Sequence, residues 1–164
     1  MKKRTIFTTI TELLQNIRKP EYLQLRQVYA VNKDLKYINL IRLIAELLRR
    51  GFNVCYFNID NNTEILREDL IEVLKSDFDS PIGDFRMFDY WEDDLYGKSL
   101  FDLSSLTYQE EQRGLFDIDI VIIQNDYLRR AAKIELAKHD DYKINEAELI
   151  KKYAQMDDYC LIGI

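Results

Sequence analysis

Residues 37–59, YINLIRLIAELLRRGFNVCYFNI, decide the fold. In the first half, Ile38, Ile41, Leu43, Ile44, Leu47 and Leu48 recur at helical spacing and make a wide apolar stripe. Arg49 and Arg50 fall in the last turn, where cations suit the carbonyl end. Gly51 supplies the stop. The second half, 53–59, has almost no polar face. A strand buried on both sides reads this way, as parallel strands covered by helices do.

The same alternation continues in both directions. Asn62 or Thr63 can cap a helix over 64–75. Residues 85–91 (FRMFDYW) and 27–32 (QVYAVN) read as strands, and 117–123 (DIDIVII) is the strongest strand signal in the chain. Residues 127–138 have high helix propensity. Asn145 with Glu148 is an N-capping signature opening a helix over 146–156. YCLIGI, 159–164, is a final buried strand. Residues 5–18 predict an amphipathic helix on Ile10, Leu13, Leu14 and Ile17. Within the acidic stretch 92–114 only a short helix, 104–112, is predicted. Strands alternating with helices imply an α/β fold. The expectation is a single three-layer domain: a mostly parallel sheet with helices on both faces. A helical segment, 1–26, sits at one edge of a core over 27–164. The strands at 53–59 and 117–123, both apolar throughout, should be neighbours near the sheet centre.

Composition narrows the function. The chain has 164 residues, 47% of them hydrophobic, and a formal net charge of −6. An acidic chain is a poor candidate for tight duplex DNA binding, which uses a basic excess. No signal peptide or apolar run of membrane-spanning length stands out, so a cytoplasmic location with no membrane contact is expected. Cys55 and Cys160 sit in apolar runs and read as buried small hydrophobes. Together with the lone His139 they are too few for a zinc site.

The order RRG, buried strand, acid, helix resembles the nucleotide-binding core of RecA-like ATPases, especially DnaB-type helicases, and also ParA/MinD-type ATPases. Asp60 stands where the acid at the strand end would be. DIVIIQNDYLRR resembles the Walker B strand, with Asp126, Tyr127 and Leu128 carrying the match. Residues 27–164 follow the family order. A phosphate loop needs G-x-x-x-x-G-K-[ST], whose glycines let backbone N–H groups cradle phosphate. Residues 31–40, VNKDLKYINL, contain no glycine. Lys33 or Lys36 could touch an anion without forming that cradle. The resemblance therefore implies a pseudo-ATPase: a P-loop-less scaffold or regulatory partner, of a DNA-processing machine, with no cofactor and no nucleotide turnover.

A second pattern is that of a PD-(D/E)XK-type nuclease. It would use Asp117 or Asp119 as first metal ligand, Glu135 as second and Lys138 or Lys133 as the cation, with Mg²⁺ activating water. That reading needs 127–138 to be a strand, on which Glu135 and Lys138 would point to opposite faces. As a helix, the two are a surface pair.

For partners, Tyr90, Trp91, Tyr96 and Phe101 place many large rings in one short stretch beside Glu92, Asp93 and Asp94. Aromatic residues are enriched at protein interfaces. The expectation is self-association or a protein partner through residues 88–103.

Overall fold

A computed structural model describes residues 6–8, 13, 28–31, 37–59, 63–75, 83–90, 97–114, 117–139, 141, 143–157 and 160–164. In chain order the strands are β1 (Ile6–Thr8), β2 (Val28–Val31), β3 (Val54–Ile59), β4 (Phe85–Tyr90), β5 (Ile120–Ile123) and β6 (Cys160–Gly163). The helices are α1 (Tyr37–Arg49), α2 (Thr63–Leu74), α3 (Leu100–Gly114), α4 (Asn125–Ala137) and α5 (Glu146–Asp157).

The six strands form one sheet in the order β1-β2-β6-β5-β3-β4. Every pairing in it is parallel. β3 pairs with β5, Val54 opposite Ile120 and Tyr56 opposite Ile122, as the apolar runs predicted. The C-terminal strand β6 lies between β2 and β5, so its ladder is occupied on both sides.

Period-two alternation divides the core. Val54, Tyr56, Ile120, Ile122, Cys160 and Ile162 face one way, onto α1 and onto Leu70 and Leu74 of α2. Cys55, Phe57, Val121, Ile123 and Leu161 face the other way, onto α3, α4 and α5. The result is the expected three layers. Steps from β2 to β3 and from β3 to β4 move across the sheet in one direction, with their helices on the first face. Steps from β4 to β5 and from β5 to β6 move back, with their helices on the second. A single crossover hand requires this correlation.

The amino terminus differs from expectation. Residues 6–8 are an edge strand paired with β2, not the start of a helix over 5–18. Ile6, Phe7 and Thr8 are β-branched or aromatic, and a free sheet edge was available to them. Leu13 is helical and fully buried against the first face. Helix α3 is also longer than predicted. It starts at Leu100 because Ser99 and Asp102 form a reciprocal cap. The Ser99 N–H donates to Asp102 Oδ2 at 2.9 Å, and the Asp102 N–H donates to Ser99 Oγ at 3.2 Å. At the other boundary read from sequence, Gly51 closes α1 with φ of 89°, and its N–H donates to the Leu48 carbonyl at 2.9 Å.

Candidate functional site

In a parallel sheet all strands end on one side, and open α/β folds bind ligands there. Three sequence landmarks follow strands that end on this side: 31–40 after β2, Asp60 after β3, and Gln124–Asp126 after β5. Asp60, Lys33 and Lys36 lie outside the described residues. Asp126 is exposed in the first turn of α4, where a carboxylate suits the helix dipole. Gln124 caps that helix with extended backbone and no side-chain hydrogen bond. The Asn125 N–H is already taken by the Ile164 carbonyl at 2.8 Å.

Asp117 and Asp119 lie at the opposite, amino side, and serve the sheet itself. Asp119 Oδ2 accepts the Asn53 N–H at 2.8 Å, and the Asp117 carbonyl accepts Asn53 Nδ2 at 2.8 Å. Asn53 Oδ1 in turn accepts the Asp84 N–H at 2.9 Å. One asparagine thus ties the starts of β3, β4 and β5 together. Burial pushes the Asp119 carboxyl above its ordinary pKa, the Asn53 amide pulls it back, and Asp117 raises it further.

Glu135 stands elsewhere, on helix α4, so residues 127–138 do not supply the strand that a nuclease site needs. The residue is 4% exposed. Glu135 Oε1 accepts the Tyr153 hydroxyl of α5 at 2.5 Å and the Phe101 N–H at the start of α3 at 3.3 Å. His139 Nε2 lies 3.8 Å from Glu135 Oε2. This carboxylate therefore fastens three helices, and the positive end of α3 helps to hold it. Lys138 is the exposed C-cap of α4. Among the described residues no group of three or more His, Cys, Asp or Glu is placed to hold a metal.

Beside this network lies a cavity of about 20 Å³ against the second sheet face, bordered by Phe57, Leu103, Thr107, Val121 and Tyr153. That is room for about one water molecule, too little for an organic ligand.

The partner residues expected from sequence divide. Trp91 and Tyr96 lie outside the described residues. Tyr90 ends β4 opposite Ile59, and only its backbone is described. Phe101 is helical and 62% exposed. Sequence reasoning missed Tyr108, also 62% exposed. It lies seven residues on, two turns along the same face of α3. The signal was the spacing, hidden because α3 was read as starting at 104. Phe101, Tyr108 and the network that anchors the start of α3 form the candidate site. No known protein family and no curated protein matches the chain.

Proposed function

We propose that this chain is a non-enzymatic, RecA/ParA-like α/β domain without a phosphate loop, which binds a protein partner through the exposed face of α3. The observation that carries the binding role is the pair Phe101 and Tyr108, both well exposed on one helical face. Large rings left in water cost hydrophobic free energy unless a partner covers them. The RecA/ParA-like part is supported by the sequence order and by a sheet in which the three landmark stretches follow parallel strands. The absence of glycine from 31–40 argues against nucleotide turnover. A scaffold or regulatory role, within a DNA-processing assembly as the resemblance implies, fits these features.

Calorimetry with ATP and GTP tests the non-enzymatic part. Affinity no tighter than about millimolar, about −4 kcal/mol, is expected, with no turnover. A micromolar affinity abolished by Asp60→Ala would contradict the reading.

A further inference from the structure

Helix α3 turns an uncharged stripe to solvent. At about 100° per residue, positions 105, 108 and 112 fall within about 40° of Phe101 viewed down the helix axis. They are Ser105, Tyr108 and Gln112. Tyr108 and Gln112 are exposed, and Ser105 is half-buried. None carries a charge, although charged residues make up 32% of the chain. Phe101 and Tyr108 are each 62% exposed. They stand about 10 Å apart along the axis, with Ser105 between them.

Resting on the protein-binding reading above, we infer that this stripe docks on the same stripe of a second copy of the chain. The two α3 helices run antiparallel about a two-fold axis at the level of Ser105. Three features favour this occupant. An axis midway between the two rings sets Phe101 of each copy opposite Tyr108 of the other, so the spacing matches itself. Such self-complementary contacts are the commonest way in which identical chains associate, and paired rings gain from edge or offset contact beyond their burial. The small side chain of Ser105 lies at the axis, where helices about 8–10 Å apart approach most closely. Two copies of net charge −6 repel, and they meet with least penalty through a face that adds no charge. A charged partner segment would find no counter-charge within this stripe. Area sets the strength. At 62% exposure for each ring, four rings cover roughly 400–600 Å². That is below the about 1,200–2,000 Å² of a stable interface, so the dimer is weak, with a Kd on the order of 0.1 mM.

The test is sedimentation of the full chain from about 10 µM to about 1 mM, which brackets that Kd. It is run at low salt and at about 150 mM, where the Debye length is about 8 Å. A concentration-dependent dimer is expected, tighter at the higher salt because screening relieves the repulsion between copies. Phe101→Ala should weaken it about tenfold, within the range of a modest interface anchor. Ile71→Ala, on α2 across the sheet, serves as control and should change nothing. Thermal melts of each variant separate lost association from lost folding. Cross-linking reads the arrangement. Cys55 and Cys160 are buried, so an added surface thiol reports alone when diamide is the oxidant. Ser105→Cys places its two thiols beside the axis, within reach of a disulfide. Gln112→Cys places them about 20 Å apart, about 10 Å from the axis in each copy. The first variant should form a covalent dimer and the second should not.

A chain that stays monomeric throughout this range would overturn the inference. So would a dimer indifferent to Phe101→Ala, or one that Gln112→Cys bridges as readily as Ser105→Cys. The protein-binding reading is scored separately, by photo-cross-linking from position 101. An adduct to a different protein there would overturn the second copy as occupant and leave that reading standing. No protein adduct of either kind would overturn both.

Discussion

At the scale of single residues, buried polar groups here hold elements together. Glu135→Ala would leave the Tyr153 hydroxyl and the Phe101 amide without their carboxylate. At about 1–3 kcal/mol for each of the two unsatisfied groups, the expected loss is about 2–6 kcal/mol in denaturant unfolding. Glu135→Gln keeps an acceptor oxygen and should lose less. Equal losses would mean that the hydrogen bonds to Oε1 contribute little. Two other carboxylates titrate with opposite signs. The Asp102 carboxyl is held below its ordinary pKa, chiefly by the Ser99 amide. Its contribution is present above the unfolded pKa and is lost as pH falls through the folded value. The Asp119 carboxyl is pushed up, chiefly by burial. Its contribution is present below the unfolded pKa and is lost as pH rises through the folded value. Urea midpoints across acid pH should therefore show Asp102→Asn growing more damaging toward neutrality. Asp119→Asn should grow less damaging, or stabilising, in the same direction. The reverse trends would contradict these placements. Burial also pushes the Cys160 thiol up to about 12. It should react with a thiol reagent near pH 8 only after unfolding. Cys55 and Cys160 are both buried and face opposite sides of the sheet, which rules out a bridge between them.

At the scale of elements, the central strands tolerate least. Val121 is 2% exposed between β3 and β6, and Val121→Asp buries an unpaired charge. That variant should not fold, and a melt within a few degrees of the parent would contradict the strand placement. Gly83 is equally constrained. Its N–H donates to the Leu48 carbonyl at 2.8 Å, and an added Cβ would meet the Phe52 carbonyl oxygen at 1.8 Å. Backbone cannot yield as a side chain end can, so Gly83→Ala should cost about 1–3 kcal/mol or more, seen as a lower melting temperature. The strands and helices around this point were legible because periodicity reports burial directly: 53–59 and 117–123 are apolar on both faces and lie side by side. Two elements were not. Three residues, Ile6–Thr8, are too few for a period, and only a neighbouring edge makes them a strand. The first turn of α3 is set by one cap between Ser99 and Asp102, set in a stretch whose Asp, Gly and Ser residues read as loop. Losing that turn from the reading also lost the shared face of Phe101 and Tyr108. For the candidate site, Phe101 was legible as an exposed ring. The role of Glu135 was not, because its partners lie 34 and 18 residues away in sequence.

At the scale of the molecule, a doubly wound parallel sheet supports function through what it places at its strand ends and on its outer helices. In this chain the strand ends carry no glycine-rich loop. No helix among the described residues is long and apolar enough to cross a membrane. What the outer layer offers is an α3 whose start is clamped by Glu135 and whose rings face solvent. The central claim is that this face meets protein. A photo-reactive phenylalanine placed at Phe101, with a second version at Ile71 as control, tests it in cells. The account predicts a discrete protein adduct from position 101, either another protein or a second copy of this chain, that position 71 does not give. Adducts to nucleic acid, or no adduct distinguishing position 101 from position 71, would contradict it.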